Sequence, residues 1–402
     1  MHLHPTAARA AAALLLIALP ALASAPPPPC ASELDCTLNG VCLPTGACLC
    51  DAGWGGPSCA ALKLGVTDPS LGHPWGAPGS SWGGLPVFDP VGGAWHLYYS
   101  QMEGGCGLGA WGTNSRIVHA QGSSPLGPFE DVDVVQPAFS HNAQAFRTPD
   151  GTWVVWHIGC AQGERVVNCS AGTPSPALPL AARTVPPGVP GSNPSPLCAP
   201  QLFGALGEGY MSYLSAPSPA GPWTPLGRPA LAGSLNRSTW WPFLTNPAPW
   251  LQRDGSLLLA VSGDSGASGK CIGFAVAPTW NGTLAIEGRS DAAPIPGGED
   301  PFVWVNARGH RHVIWHDTSG RSNGGHAYAP ASAPTQWTVA TRSLYTGTIT
   351  FPNGTSGVAN DRERPKIVFS SEGVPLGMYN GLIPPGVVGD GGCFTAVTRI
   401  EL

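Results

Sequence analysis

The fold is decided by residues 299–309, EDPFVWVNARG, in which an acidic pair leads through an apolar strand to a turn glycine. Asp300 lies nine positions before that glycine, Gly309. The same offset occurs five times in the chain, and an apolar run follows each glycine, which is the pattern of a β-hairpin. Repeated short antiparallel sheets are typical of a propeller, so we predict an all-β chain with five propeller blades. The five pairs are Gly84 and Gly93, Asn142 and Gly151, Asn246 and Gly255, Asp300 and Gly309, and Arg364 and Gly373.

The composition of the 402-residue chain favours a β protein and excludes other classes. Gly (55) and Pro (45) together make up about a quarter of the residues, which suits many turns. The 15 Trp argue against disorder, because disordered chains are poor in aromatic residues. Only 11% of the residues are charged, and the net charge of −5 lacks the basic footprint of a protein that binds nucleic acid or an anionic membrane. We therefore predict no nucleic-acid partner.

The amino terminus has the pattern of a secretory signal. Arg9 precedes an apolar run, Ala10 to Ala23, that ends in small-x-small cleavage sites. Cleavage after Ala23 would remove a signal peptide at 1–23. An uncleaved anchor is the alternative, although the run is short for a membrane span, which needs about 20 apolar residues. We expect a secreted mature chain without a membrane span, in which four sequons are candidate glycosylation sites: Asn168, Asn236, Asn281 and Asn353.

A cluster of six cysteines follows the predicted signal: Cys30, Cys36, Cys42, Cys48, Cys50 and Cys59. So short a segment cannot bury an adequate core and needs disulfides, for which six cysteines allow 15 pairings. One residue between the fourth and fifth cysteines, and Gly53-Trp54 before the last, give the cluster a pattern that resembles an EGF-like domain. The resemblance implies the pairs Cys30–Cys42, Cys36–Cys48 and Cys50–Cys59 in a module at 26–60, which would act as a spacer or contact another protein. Calcium-binding EGF-like domains have acidic and amide residues before the first cysteine, where this chain has Pro26 to Pro29, so we predict no calcium site.

The propeller is predicted at 80–402, interrupted by a Pro/Ser/Gly-rich insertion at about 161–206. Six further cysteines lie in this region and again allow 15 pairings. Cys106 and Cys160 both follow the second strand of neighbouring blades, so we favour that pair.

The innermost strands of a propeller converge on its central channel, so residues that begin these strands are expected to meet there. Second strands run back and return their last residues to the same face. Polar residues at these positions need hydrogen-bond partners or solvent, which suits a concave pocket. The predicted pocket residues are His141, Asn142, Asn246, Glu299, Asp300, His316, Asp317, Glu363 and Arg364.

This arrangement resembles the five-bladed propeller glycoside hydrolases of the family 43 type, which include arabinanases and β-xylosidases. Those enzymes carry the general acid in a Glu-x-Pro motif on blade four, where this chain has Glu299, and Glu363 repeats the motif on blade five. The resemblance therefore implies Glu299 as general acid. The family's second carboxylate lies on blade one, where this chain has Gly83-Gly84. Asp89 is close to the turn glycine of that blade, and we interpret it as a turn residue.

Two functional hypotheses follow for this secreted chain, both with a glycan as partner. In the first it is a glycoside hydrolase with Glu299 as acid and Glu363, Asp300 or Asp317 as base or electrostatic partner, because glycoside cleavage needs two carboxylates. In the second it is a lectin-like or adhesion protein without catalysis. A third possibility is that the carboxylates of the pocket are structural and pair with arginines. We predict no cofactor and no metal, and we assign sugar binding to His141, Asn142, Asn246, His316, Asp317 and Arg364.

Tryptophans divide by position. Those on second strands are expected in the core, whereas those in predicted loops could stack against a sugar face. The candidate platforms are Trp82, Trp111 and Trp240-Trp241.

Overall fold

The computed structural model describes residues 29–76, 79–159, 166–169, 211–232, 241–264, 270–287, 295–318 and 322–402. The predicted signal peptide, Cys160, Asn236, Trp240 and most of the predicted insertion lie outside these residues. Within the described residues, no helix has the length and apolar character that crossing a membrane requires.

The cysteine-rich segment forms a small disulfide-linked module with two antiparallel ribbons. The three disulfides are Cys30–Cys42, Cys36–Cys48 and Cys50–Cys59, as the resemblance implied. A 3₁₀ turn precedes the first ribbon, and its bounds are Glu33–Cys36. The ribbon strands are β1 (Gly40–Cys42), β2 (Cys48–Cys50), β3 (Trp54–Gly55) and β4 (Ala61–Leu62).

Apart from one separate hairpin, the remaining strands form five antiparallel sheets, which are the blades of a propeller. Strand β5 (Leu64–Thr67) comes first in the chain. Blade one contains β6 (Ser80–Asp89), β7 (Ala94–Met102), β8 (Ser115–Gly122) and β9 (Glu130–Gln136), with helix α1 (Trp111–Asn114) and a 3₁₀ turn (Leu108–Ala110) before β8. Blade two contains β10 (Ser140–Arg147), β11 (Trp153–Gly159), β12 (Met211–Ala216) and β13 (Thr224–Gly227). Blade three contains β14 (Trp241–Leu251), β15 (Leu257–Asp264), β16 (Lys270–Ala277), β17 (Ala285–Ile286) and β18 (Ile295–Pro296).

Blade four contains β19 (Gly298–Val305), β20 (Arg311–Asp317), β21 (Gly324–Ala329) and β22 (Thr338–Val339). A hairpin of β23 (Thr348–Thr350) and β24 (Ser356–Val358) leads to blade five, which contains β25 (Asp361–Phe369), β26 (Pro375–Ile383) and β27 (Phe394–Ile400).

The ring is closed by a strand from the other end of the chain. Strand β5 pairs antiparallel with β27 as the outermost strand of blade five, although it lies upstream of the predicted propeller start at residue 80. The hydroxyls of Thr67 and Thr398 share a buried hydrogen bond of 2.7 Å across this pairing. Closure in this way leaves no gap between the first and last blades, which limits exposed strand edges.

The repeated offset marks a backbone bulge near the start of each inner strand. The register of all five inner strands shifts at this point, and each shift contains at least one residue with positive φ. The bulge residues and their φ values are Gly84 (99°), Asn142 (60°), Asn246 (52°), Asp300 (55°) and Arg364 (53°). These are the five residues that the sequence predicted at the axis.

The EGF-like module packs against blades four and five. Trp54 stacks on Trp304 of β19 with 6.3 Å between ring centroids. The guanidinium of Arg308 donates to both carboxylate oxygens of Asp51, at 3.0 and 2.7 Å, and Tyr328 donates its hydroxyl to the Leu34 carbonyl. Module and propeller therefore share one hydrophobic core.

The predicted Cys106–Cys160 disulfide is wrong. Cys106 instead bonds to Cys169, 63 positions further along the chain. A hydrogen bond from the Cys169 amide to the Gly104 carbonyl holds this segment beside the end of β7, which brings the two sulfurs together. Sequence position relative to the strands could not reveal this return of the chain.

Candidate functional site

A pocket of about 880 Å³ lies at the end of the propeller where the inner strands begin. It brings together residues from blades two to five that the sequence predicted would meet. Asp317 does not line this pocket. Asn142 does not line its walls and contributes to its floor. The predicted residues that line the pocket are His141, Asn246, Glu299, Asp300, His316, Glu363 and Arg364.

The floor of the pocket is a chain of hydrogen-bonded bulge residues around the axis. Asn142 donates its side-chain amide to Asn246, and Asn246 donates to the Asp300 carboxylate at 2.6 Å. Arg364 donates to the same carboxylate oxygen at 2.8 Å. A Cβ added at Gly83 would lie 3.1 Å from Cδ of Arg364, so the absence of a side chain at Gly83 leaves room for the arginine.

A second polar layer lies beneath this floor. The ammonium of Lys366 donates to the Gln144 side chain, whose amide donates to the Pro249 carbonyl at 2.9 Å. Burial, together with the positive charge of Arg364, lowers the pKa of Lys366 to about 7. Polar side chains therefore fill the propeller axis below the pocket.

The two Glu-x-Pro glutamates occupy different environments in the pocket. Glu299 forms an ion pair with Lys270, the first residue of β16. Glu363 is about as exposed as Glu299, and partial burial followed by the negative charge of Asp300 raises its pKa to about 8. This shift favours the protonated form of the Glu363 carboxyl at neutral pH.

Two histidines present nitrogen atoms without hydrogen-bond partners. Neither ring nitrogen of His316 is bonded, although Asp300 and Glu363 oxygens each lie 3.8 Å from one of them. The Nδ1 of His141 bonds the Ser115 hydroxyl at 2.7 Å, whereas its Nε2 has no partner. Burial lowers the pKa of both imidazoles, so both are neutral at pH 7.

The wall facing these groups is apolar. Trp111 begins α1 and packs against Phe139 and His141, with ring centroids 5.8 and 5.4 Å apart. Trp111 was predicted as a sugar platform and does line the pocket. The same prediction for Trp82 is wrong, because Trp82 lies within β6 and is fully buried in the core.

Several pocket residues escaped the sequence analysis. Lys270 begins the third strand of blade three, Asp390 lies between the second and third strands of blade five, and Asp361 precedes the Glu-x-Pro motif by two residues. For Asp361, the alternation of residues along β25 was an available signal, since i and i+2 share a strand face. The interpretation of Asp89 as a turn residue is confirmed by hydrogen bonds from the amides of Val91 and Gly92 to its carboxylate.

One group of pocket side chains has the composition of a metal site. Ligand atoms of Asp300, His316 and Glu363 lie within 4.8 Å of one another. However, the guanidinium of Arg364 already donates to the Asp300 carboxylate, so this carboxylate has a cationic partner. We assign no metal ion to these residues.

Comparisons with known proteins agree with this architecture. An EGF-like domain model matches residues 30–59. No curated protein sequence matches the chain. Among solved structures, Zg3597, a family 117 glycoside hydrolase from the marine bacterium Zobellia galactanivorans, is 13% identical with a TM-score of 0.50, covering 84% of this chain and 92% of its own. Another structure, described as a glycoside hydrolase, is 10% identical with a TM-score of 0.52, covering 85% of this chain and 92% of its own. The chain thus combines an EGF-like domain with a five-bladed propeller similar in fold to those of glycoside hydrolases.

Proposed function

We propose that the protein is an extracellular glycoside hydrolase that binds its glycan in the pocket at the end of the propeller. The observation that carries this proposal is the set of buried nitrogen atoms without partners at the pocket, on His141, His316 and Arg364. A buried polar atom without a partner costs about 1–3 kcal/mol, so such atoms in a pocket indicate an oxygen-rich ligand.

A sugar matches both walls of the pocket. Its hydroxyls are donors and acceptors, and neutral imidazoles and carboxylates can bond them in both directions. Its C–H face could pack on the exposed part of Trp111, which lies on the apolar wall. The pocket contains acidic as well as basic side chains, which favours a neutral sugar over an anionic one.

Hydrolysis rather than binding alone is supported by the two glutamates. Glycoside cleavage requires one carboxyl that is protonated and one that is ionised. Glu363 and Glu299 meet this requirement within a single pocket without a blade-one carboxylate.

An extracellular location is supported by the disulfide-linked EGF-like module, because disulfides persist in oxidising compartments. The predicted signal peptide and sequons agree with this location. Any contact with another protein would use the face of the module that does not pack on the propeller.

The experiment is a glycan array with a panel of 4-nitrophenyl pentosides and fructosides, applied to the wild type, His316→Ala and His310→Ala. We expect the wild type to bind and hydrolyse a member of the panel, and His316→Ala to raise Kd by about 5- to 150-fold, since it removes hydrogen bonds worth about 1–3 kcal/mol. His310 lies beside Glu33 of the module and serves as the matched control.

Binding without turnover would support the lectin-like alternative and contradict the hydrolase. If the wild type neither binds nor hydrolyses any member of the panel, the pocket is not a sugar site.

A further inference from the structure

The Glu-x-Pro glutamates of blades four and five lie at equivalent positions in the repeat. Each directly precedes its bulge residue, Asp300 or Arg364, and each lines the pocket. Position alone therefore does not distinguish their roles, whereas their neighbours do.

Glu299 has a fixed cationic partner. The Lys270 ammonium reaches it from blade three, and both side chains are partly open to the pocket, with 50% of Lys270 and 22% of Glu299 exposed. In this ion pair the carboxylate is the anion, and transferring a proton from it would first require the pair to be neutralised.

Glu363 has no hydrogen-bonded cation among the described residues. The nearest guanidinium, on Arg364, is bonded to Asp300, and the nearest imidazole, on His316, is neutral. Further negative charge on β19 and on its own strand, β25, disfavours a second anion at Glu363. The titratable and charged groups that face Glu363 are Glu299 and Asp300 on β19, His316 on β20, Tyr345, and Asp361 and Arg364 on β25.

We propose that Glu363, and not Glu299 on blade four, is the proton donor of the pocket, with the ion-paired Glu299 as its anionic counterpart. This inference rests on the proposed function, and it reverses the roles that the Glu-x-Pro resemblance implied. Blade five then supplies the acid, in a propeller whose blade-one carboxylate is replaced by glycine.

The chemical step is balanced within these groups. The Glu363 carboxyl transfers its proton to the glycosidic oxygen as the bond between that oxygen and the anomeric carbon breaks, and the leaving group departs as an alcohol. Water attacks the anomeric carbon and gives a proton to the Glu299 carboxylate. That proton returns to Glu363 through solvent, so one glycoside and one water become a hemiacetal and an alcohol.

A leaving-group comparison tests the assignment. Phenyl and 2,4-dinitrophenyl pentosides differ in their need for an acid, because dinitrophenolate leaves readily without a proton. Glu363→Gln should lower kcat/KM about 10²–10⁴-fold on the phenyl substrate and by less than about tenfold on the dinitrophenyl one. Glu299→Gln should impair both substrates alike. Glu287→Gln, which alters a carboxylate bonded to Arg311 outside the pocket, is the control.

The opposite pattern, with the leaving-group dependence in Glu299→Gln, overturns the proposal. A second readout uses the wild type labelled with ¹³C at glutamate carboxyls, in which the signal missing from Glu363→Gln should titrate above pH 7. If the wild type hydrolyses a substrate but that signal titrates in the ordinary carboxyl range, only the choice of Glu363 as proton donor is wrong. Absence of wild-type turnover on every probe overturns the proposed function itself.

Discussion

Blade one and blade four have the same backbone bulge but place very different side chains on it. Blade four has Glu299 and Asp300, whereas blade one has Gly83 and Gly84. All these bulges turn the chain through a positive φ, so the bulge is a requirement of the fold, and the side chains on it are available for chemistry. The space beside Gly83 is not empty, because the lack of a side chain there accommodates Arg364 from blade five.

The same two blades share a second feature, a buried pair of histidines between the second and third strands. In blade one, Nδ1 of His96 lies 2.8 Å from Nε2 of His119, and in blade four the corresponding atoms of His312 and His326 lie 3.2 Å apart. The difference is what covers the pair. Trp54 of the EGF-like module lies against His326, with ring centroids 5.7 Å apart, so blade four carries the module where blade one does not. Blades one and four therefore share an internal histidine pair and differ in what packs against it.

The largest effect is expected from giving blade one the residue of another blade. In Gly84→Asn the new Cβ would lie 2.8 Å from the Tyr98 carbonyl oxygen and 3.0 Å from a Leu97 methyl, at a φ of 99°. Overpacking and backbone strain should together lower the free energy of unfolding by about 2–5 kcal/mol, measured by urea denaturation.

The comparison variant is Asp300→Gly on blade four, which removes the side chain at the equivalent bulge and keeps a compatible backbone. This variant should lower the free energy of unfolding by about 1–3 kcal/mol, because Asn246 and Arg364 lose the carboxylate to which they donate. Equal losses of unfolding free energy in Gly84→Asn and Asp300→Gly would contradict this comparison, because they would show that both bulges tolerate a change of side chain to the same extent.

The histidine pairs should make stability depend on pH in both blades. Burial lowers the pKa of His96 to about 4 and that of His326 to about 3, below the value of about 6.5 in an unfolded chain. Between pH 6.5 and 4 the unfolded chain therefore binds more protons, and stability falls as the pH falls, by about 1.4 kcal/mol per pH unit for each such histidine.

Denaturation of His326→Phe and His96→Phe at several pH values from 5 to 6.5 measures this contribution. Each variant should reduce the slope of unfolding free energy against pH, whatever its stability at pH 7. A slope equal to that of the wild type in both variants would show that the pairs do not control acid sensitivity.

Much of the propeller was predictable because its repeat is local. The nine-residue offset reflects a strand of fixed length between bulge and turn, and it correctly placed Asn142, Asn246, Asp300 and Arg364 around one axis. Alternation and turn chemistry act within a few residues, so the sequence reports them directly.

Contacts between distant parts of the chain could not be read in this way. Arg364 and Asp300 are 64 residues apart, and nothing near either one indicates that the arginine would bond this carboxylate. Strand β5 is too short to show a period, so its place in blade five depends on ring closure. The ion pair of Lys270 with Glu299 likewise follows from the packing of neighbouring blades, which is why the roles we propose for the two glutamates differ from those the motif implied.

The smallest effect is expected at the ion pair that joins blade four to the EGF-like module. Arg308 bonds both carboxylate oxygens of Asp51 on the EGF-like module, but both side chains are partly exposed, by 32% and 41%. Arg308→Lys loses the two-pronged geometry and should cost about 0.2–1 kcal/mol in urea denaturation at low salt, and less in 1 M NaCl, because exposed charges are screened. Arg308→Ala should cost somewhat more, since it also removes the bond to the Leu38 carbonyl. A salt-independent loss of several kcal/mol in Arg308→Lys would mean that this pair, rather than the Trp54–Trp304 stack, holds the module on blade four.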